Sequence, residues 1–371
     1  MFLAVIDVES FRADAERWLT ENRTHAPRDY GAILPPDQRE EGCAWQRRIY
    51  DAGFAGIHWP TEYGGRGLTP EHTGAWIELC ALASVPPFIN MVGVVLTGGS
   101  LLLYGTDEQK KEHLEPIITG ERVWCQLFSE PGAGSDLASL TTRADRDGDE
   151  YSITGQKVWC SNGRISDWGI CMARTDHDAA PHKGISFFLV DMHLRGVDVR
   201  PLRQMTGGAE FDEVFLDDVR VPANCLLGPE NEGWKVGMAT LTNERGHIGA
   251  STISLQRRLD SMAALGGDLD TVHRDALAAL VARGRTYLAL AQRQGPVASV
   301  AASLMKLGVT EMLFDVAVLR SELAGADAML VNDTSLGVLA APAGRIAGGT
   351  TQVQRNIIGE RILGLPKEPK P

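Results

Sequence analysis

Apolar residues recur at helical spacing through the first third of the chain, and this pattern predicts a helical region over residues 1–121. Apolar-rich stretches at residues 71–82 and 92–104 predict two further helices in this region. Thr106, with acidic residues directly after it, is a typical N-cap for another helix. The residues that share one face of the first predicted helix are Phe11, Ala15, Trp18 and Leu19.

The pattern then changes to short runs of alternating apolar and polar residues. These runs occupy residues 151–154, 185–190 and 213–216. Clusters such as Asp-Arg-Asp-Gly-Asp at residues 145–149 separate the runs and are typical of turns. Alternation with a period of two predicts strands, so residues 122–228 are expected to form an antiparallel β-domain.

Helical spacing returns in the last third of the chain. Residues 275–294, 297–329 and 351–363 are predicted helices, whereas residues 333–349 are rich in Gly, Ala and Pro and predict a loop with at most a short helical piece. The apolar face of the first helix of this region is predicted to carry Trp234, Met238, Leu241 and Ile248. The order of elements predicts an α+β chain with three domains, a helical domain at 1–121, a β-domain at 122–228 and a helical domain at 229–371.

Composition narrows the class of protein. The 371 residues are 44% hydrophobic and 23% charged, which is typical of a globular protein in water. No apolar run reaches the roughly 18 residues that span a bilayer, and no basic region precedes the short apolar N-terminus, so neither a membrane span nor a secretion signal is expected. A net charge of −12 disfavours nucleic acid as a partner. The six cysteines lack metal-ligand spacing, so we expect no metal site and free thiols in a reducing cytoplasm.

Two segments of the predicted β-domain carry candidate chemistry. Residues 129–136 read Ser-Glu-Pro-Gly-Ala-Gly-Ser-Asp, and residues 155–163 read Gly-Gln-Lys-Val-Trp-Cys-Ser-Asn-Gly. A flavin ring that accepts hydride gains negative charge at its pyrimidine edge, and it needs backbone N–H groups and hydroxyls there and an apolar wall elsewhere. Each segment alone would be an ordinary turn or core strand, but the two together favour a flavin site.

The side chains of these segments suit the two requirements. Gly132 and Gly134 are expected to let the backbone approach a ligand closely and adopt conformations closed to other residues. Ser129 and Ser135 supply hydroxyls. Trp159 offers a broad aromatic face, and alternation places the hydroxyl of Ser161 on the same side of the strand.

Both segments resemble the flavin-binding strands of the acyl-CoA dehydrogenase family, and the similarity covers nearly the whole chain. The resemblance implies an N-terminal helical domain, a middle β-domain and a C-terminal four-helix bundle. It implies FAD as the cofactor, oxidation of an acyl-CoA to a trans-2-enoyl-CoA, an electron-transfer flavoprotein as the acceptor, and a tetramer. The other family-like segments lie at residues 59–65, 104–110, 219–222 and 349–356.

The resemblance also assigns residues. It implies that Ser135 touches the CoA portion of the substrate as well as FAD, and that Thr242, Asn243 and Arg245 line the substrate site. The residues implied to contact FAD are Gln126, Leu127, Phe128, Ser129, Gly134, Ser135, Trp159, Cys160, Ser161, Thr350, Thr351 and Gln352.

The reaction that the resemblance implies requires a catalytic base. The α-proton of a thioester is weakly acidic, so its removal needs a desolvated carboxylate and a polarised carbonyl. Most of the family carries a Glu directly before Gly-Thr in the C-terminal segment, but that position here is Gly348. A minority, including the isovaleryl- and long-chain enzymes, carries the base before an Arg on the first helix after the β-domain. The matching residue is Glu244, which we predict as the base, although a Glu-Arg pair on a helix is more often simply solvated.

Two further residues are weaker candidates. His247 could line the substrate pocket, but a lone histidine is more often structural. Asp136 follows the glycine-rich segment and is expected to be a turn or cap residue.

Two family segments that reach FAD across a dimer interface, Arg-x-x-Phe-Gly and Gln-x-x-Gly-Gly-x-Gly, are missing. Arg283, Arg285 or Arg293 could replace the first, and residues 333–344 stand where the second is expected. Divergent relatives that act on steroid side chains, often as two different subunits, also lack both. The alternatives are therefore a homotetramer, a heterotetramer with a related subunit, and an oxygen-reactive oxidase or monooxygenase relative. Pocket depth, and with it the acyl group, depends on side chains such as Phe88, Met91 and Val95.

Overall fold

The computed structural model describes residues 6–28, 33–246, 255–256, 259–262, 269–291 and 297–367, with side chains excepted at 242–246, 291 and 297–302. The chain divides into two compact units. The predicted boundary near residue 121 falls inside the first unit, so the first helices and the sheet form one body, and the three-domain division stays a prediction. The first unit comprises Met1–Arg203 and Gly208–Glu244, and the second comprises Gln204–Gly207 and Arg245–Pro371.

The helices predicted for the start of the chain are confirmed. The face of the first helix predicted to be apolar is buried at Phe11, Ala15 and Leu19, while Trp18 is half-buried. The predicted N-cap is also confirmed, because the Thr106 hydroxyl accepts the backbone N–H of Gln109 at 3.2 Å. The helices before the sheet are α1 (Val8–Asn22), α2 (Arg39–Asp51), α3 (Pro70–Ala83), a π-helix (Val92–Thr97), α4 (Gly98–Tyr104) and α5 (Asp107–Thr119).

The predicted sheet is confirmed, but it contains both antiparallel and parallel strand pairs. The pairs β2–β3, β3–β7, β6–β7 and β4–β5 are antiparallel, as expected. The expectation of a purely antiparallel domain is wrong for β4, which pairs in parallel with β1 and, at one residue pair, with β2. Alternation reports which face a residue occupies and not the direction of the strand beside it. The strands are β1 (Trp124–Leu127), β2 (Arg143–Asp147), β3 (Glu150–Ser161), β4 (Trp168–Arg174), β5 (Ile185–Asp191), β6 (Val197–Leu202) and β7 (Phe211–Pro222).

The long strand β3 contains a bulge in the second candidate segment. Lys157 pairs with Val214 on β7, whereas Cys160 pairs with Asp212, so β3 has one more residue than its partner between these pairs. Trp159 lies within the bulge and has a φ of 62°, which is unusual for a residue with a side chain. The bulge leaves both Lys157 and Cys160 facing the core and turns Trp159 out of the sheet.

A buried histidine lies where helix α5 meets the sheet. His113 is 2% exposed and packs edge-on against Trp124 and Trp168. Its Nδ1 accepts a hydrogen bond from Arg122 Nη1 at 2.9 Å, which requires the neutral imidazole because a guanidinium only donates. Burial, and secondarily the charge of Arg122, lower the pKa of His113 to about 4.

The second unit is built from helices whose apolar residues form a separate core. One prediction is wrong here, because residues 333–349 do not form a loop with a short helical piece. Asp333–Ile346 is a helix, and the Asn332 side chain caps it by accepting the N–H groups of Thr334 and Ser335. Its alanines favour a helix, and the Gly and Pro content did not outweigh them. After the sheet, α6 (Gly233–Gly246) belongs to the first unit as far as Glu244. The second unit includes α7 (Thr271–Ala291), α8 (Val297–Ala324), a 3₁₀ segment (Gly325–Met329), α9 (Asp333–Ile346), α10 (Thr351–Asn356) and a π-helix (Ile357–Ile362).

Candidate active site

The first candidate segment forms a turn that lies alongside β3. Within the turn, Glu130 and Ala133 exchange backbone hydrogen bonds of 3.1 and 3.0 Å. The carbonyl of Ser129 accepts the N–H of Val158 at 2.9 Å. We call residues 129–136 the cradle turn, and this backbone bond sets its position against the bulged strand.

Gly132 and Gly134 have open space in front of them. A Cβ built on either glycine meets no atom within 4 Å, and neither residue adopts the left-handed conformation. The expectation of an unusual backbone conformation at these glycines is therefore wrong. Their lack of a side chain instead leaves the surface of the turn free for close approach by a ligand.

A buried ion pair that was not predicted from the sequence lies behind the cradle turn. Lys157 is fully buried, and its Nζ donates to Glu130 Oε1 at 2.9 Å. The same ammonium donates to the carbonyls of Phe128 at 3.1 Å and Met172 at 2.8 Å, so all its protons have acceptors. The available signal was a lysine at an inward-facing strand position together with a glutamate in the neighbouring motif.

The carboxylate of Glu130 is equally well satisfied. Its Oε2 accepts the N–H and the hydroxyl of Thr141 at 2.7 and 2.8 Å, and its Oε1 accepts the N–H of Thr142 at 2.9 Å. Burial alone raises the pKa of this carboxyl, but the Lys157 ammonium and these hydrogen bonds outweigh burial and lower the pKa to about 2. Glu130 is therefore ionised at neutral pH and cannot serve as a proton-abstracting base with a raised pKa.

Trp159 lies on β3, the strand beside the cradle turn, and presents an exposed aromatic surface. Its side chain is 60% exposed, and its only described ring neighbour is Phe211, edge-on at 6.0 Å. Ser161, two residues further, is half-buried. An exposed indole held at a strained backbone position suits a stacking surface for a flat ligand, and such strain is common at functional sites.

The remaining residues predicted to contact FAD in the first unit differ in accessibility. The side chains of Leu127, Phe128 and Cys160 are buried, so only their backbone atoms could face a ligand. Gln126 is half-buried. Ser135 is exposed in the cradle turn.

Helix α6 carries the predicted base, but its buried face differs from the predicted one. Trp234, Met238 and Leu241 are only half-buried, and the buried side of the helix is formed by smaller residues. Thr240 on this side shares a 2.7 Å hydrogen bond with Ser100 of α4. The residues of this buried side are Gly233, Val236, Gly237 and Thr240. Small residues allow close helix packing, which a search for large apolar residues overlooks.

The predicted substrate and base residues occupy the end of α6. Glu244 lies four positions after Thr240, about one helical turn further along the helix. Thr242, Asn243 and Arg245 belong to the same turns. The structure does not describe the side chains of Thr242, Asn243, Glu244 and Arg245. The predicted residues His247 and Ile248 lie entirely outside the described part of the chain.

A separate candidate cofactor segment, the glycine turn at residues 348–351, precedes α10 in the second unit. Gly348 and Gly349 both adopt positive φ, 64° and 94°. Lys306 Nζ donates to the Gly349 carbonyl at 2.6 Å, and Gln354 Nε2 donates to that of Gly348 at 3.0 Å. The Thr350 hydroxyl caps α10 by accepting the N–H of Val353. Of the other two predicted FAD residues, Thr351 is buried and Gln352 is exposed.

Two of the other candidates from the sequence, Arg283 and Asp136, have structural partners. Arg283 forms an ion pair of 2.7 Å with Asp315 of α8. Arg285 is exposed on α7, and Arg293 lies outside the described residues. Asp136 accepts a hydrogen bond from the Ser139 hydroxyl at the start of a short 3₁₀ turn, which confirms it as a turn residue.

Comparison with known proteins identifies the family. The sequence matches the models of the acyl-CoA dehydrogenase N-terminal domain over residues 8–121, middle domain over residues 125–219 and C-terminal domain over residues 231–363. A relative, the acyl-CoA dehydrogenase IpdE1 of Mycobacterium tuberculosis, is 37% identical over 98% of this chain and 99% of that protein.

Two solved structures are similar over almost the whole chain. The Tcur3481-Tcur3483 steroid ACAD has a TM-score of 0.82 at 27% identity, covering 99% of this chain and 100% of that one. The ChsE4-ChsE5 complex of Mycobacterium tuberculosis has a TM-score of 0.80 at 26% identity, with coverage of 99% and 100%.

The chain belongs to the acyl-CoA dehydrogenase family, a family of FAD-dependent oxidoreductases. The cradle turn and the Trp159 bulge fit this cofactor, because they combine open glycine faces, accessible hydroxyls and an exposed aromatic ring. Among the described residues, no helix combines the length and the apolar character that crossing a membrane requires.

Proposed function

We propose that this chain catalyses α,β-dehydrogenation of an acyl-CoA, with Glu244 of α6 as the base. The observation that carries the proposal is the glycine turn. The position that holds a glutamate in most of the family is Gly348, and its backbone φ of 64° lies in the region that disfavours residues with a Cβ. A base must therefore come from elsewhere, and Glu244 matches the position used by a minority of the family.

The chemistry assigns a distinct task to each group. The Glu244 carboxylate takes the α-proton, and the Cα–Cβ double bond forms as the β-hydride departs. Bound FAD supplies the hydride acceptor. The Ser129 and Ser135 hydroxyls and the open backbone of the cradle turn would hold its polar edge, Trp159 would cover its ring, and Ser135 would also meet the CoA portion.

We further propose that the substrate is a CoA thioester of a steroid-derived acyl group and that a related second chain completes the enzyme. Two observations support this extension. The two solved structures reported above are named as pairs of chains, and one is named a steroid ACAD. The two family segments that reach FAD across a dimer interface are missing here, and a partner chain could supply them. An electron-transfer flavoprotein would then reoxidise the flavin.

The test is anaerobic titration of the full chain, purified alone and with co-produced related subunits, against short, branched, long and steroidal acyl-CoAs. Flavin bleaching reports the reaction. Glu244→Gln should retain FAD and lose bleaching by about 10²- to 10⁴-fold, the usual contribution of a general base. Glu232→Gln makes the same chemical change at an exposed residue just before α6 and should bleach normally.

Each outcome bears on a different part of the proposal. Normal bleaching of the Glu244 variant would remove that residue as the base. Bleaching by linear acyl-CoAs in preference to steroidal ones would overturn the substrate class. Full FAD content and turnover in the chain alone would argue against the second subunit, and hydrogen peroxide release in air at the rate of turnover would favour an oxidase.

A further inference from the structure

The Lys157–Glu130 pair connects the two walls of the candidate flavin site. On one wall, Lys157 contacts Phe128 and Glu130, the residues on either side of Ser129. On the other wall, Lys157 is the residue at which the β3 bulge begins, two positions before Trp159. A single buried ammonium therefore bonds to the cradle turn from within the strand that carries the stacking surface.

The backbone adds a second connection between the same walls. Val158 lies between Lys157 and Trp159, and its N–H donates to the Ser129 carbonyl. The third acceptor of the ammonium, the Met172 carbonyl, belongs to strand β4. Lys157 thus ties the turn and the bulge to a strand that neither of them belongs to.

Stability alone is a poor reason for this arrangement. A buried ion pair loses hydration that its attraction scarcely recovers, and apolar residues of similar volume are often as stabilising or more so. A well-satisfied buried network does fix the geometry of the groups that it joins. The groups fixed here are the neighbours of Ser129 and Trp159, the two residues that the candidate site needs at a defined separation.

We propose that Lys157 and Glu130 are positioning residues that hold the Ser129 turn and the Trp159 bulge in fixed register against the flavin. The inference rests on the assignment of these two walls to FAD. It extends that assignment to two residues whose side chains are buried behind the surface that the flavin would meet.

The test compares Glu130→Gln, Lys157→Met and the double variant in the full chain, purified with any subunit it retains and reconstituted with FAD. Three quantities are measured, the thermal midpoint, the FAD dissociation constant and the visible circular dichroism of the bound flavin. Val221→Ala is the matched control, because Val221 is buried in the same sheet and pairs with Tyr151 at the far end of β3 from the bulge. Trp159→Ala tests the site itself.

We expect each single variant to bind FAD about tenfold more weakly and to change the flavin circular dichroism. Val221→Ala should lower the thermal midpoint without changing either flavin signal. The double variant removes both charges, so its thermal midpoint should recover relative to the singles while its flavin signals stay altered.

The proposal is overturned if the variants lose thermal stability but keep wild-type FAD affinity and circular dichroism, or if Val221→Ala changes these signals as much as they do. A Trp159→Ala chain with an unchanged flavin spectrum would instead refute the site assignment. A changed spectrum there with normal signals in the Glu130 and Lys157 variants would refute the positioning role alone.

Discussion

The cradle turn and the glycine turn are both candidate cofactor segments, and each is held by a lysine that donates to backbone carbonyls. Lys157 behind the cradle turn is fully buried and paired with a carboxylate, while Lys306 at the glycine turn is half-buried. The glycines of the cradle turn are unstrained, whereas Gly348 and Gly349 have positive φ. The first segment is thus positioned by buried charge, and the second by a backbone conformation that glycine permits.

The largest difference between the two segments should appear when each lysine is removed. Lys157→Met leaves the ionised Glu130 buried without its counter-ion, and we expect it to lower the free energy of unfolding by about 3–5 kcal/mol. Lys306→Met loses hydrogen bonds at a half-buried position and should cost about 1–2 kcal/mol. Urea unfolding of both variants measures this difference, and equal losses of stability would mean that the two lysines hold their turns equally strongly.

Low pH should destabilise the first unit because His113 takes up a proton more readily in the unfolded chain. Its pKa is about 4 in the folded chain and near 6.5 in the unfolded chain, so between these values the unfolded chain binds the proton and stability falls as pH falls. From pH 7 to pH 5 this group should cost about 2 kcal/mol. His113→Phe keeps a ring between Trp124 and Trp168 and should remove that part of the loss, as urea unfolding at both pH values would measure. An unchanged loss in the variant would mean that His113 is already free to protonate.

The smallest effects on stability separate the two kinds of glycine. Gly348→Ala places a Cβ at a φ of 64° and should destabilise the chain by about 1–2 kcal/mol. Gly134→Ala meets no atom and should leave the thermal midpoint unchanged or slightly raised, yet weaken FAD binding because the methyl group enters the open face. Thermal unfolding and FAD titration of both variants test this, and a destabilised Gly134→Ala chain would contradict it.

The sequence predicted most element types correctly but not how all the strands pair. Periodicity located the helices at the N-terminus and the strands, since these follow from local burial alone. The helix at Asp333–Ile346 was missed because its glycines and proline obscured a strong alanine preference. The parallel pairing of β1 with β4 depends on residues far apart in the chain, which no local pattern reports.

The candidate site divides in the same way. The family-like motifs identified Ser129, Trp159 and the glycine turn as candidates. The link between Lys157 and Glu130 was not predicted, because it needs the bulge to bring an inward lysine behind the turn. The buried face of α6 was missed because glycine, valine and threonine form it and large apolar residues do not.

The bulge in β3 limits which mutations this part of the chain can accept during evolution. Three steps along β3, from Lys157 to Cys160, are matched by two along β7, so deleting one residue there would restore a regular ladder. The indole of Trp159 would then turn into the core, or every later residue of the strand would exchange faces. Mutations in this short segment can therefore replace side chains, but deleting a residue would either bury the tryptophan or reverse the faces of the residues that follow it.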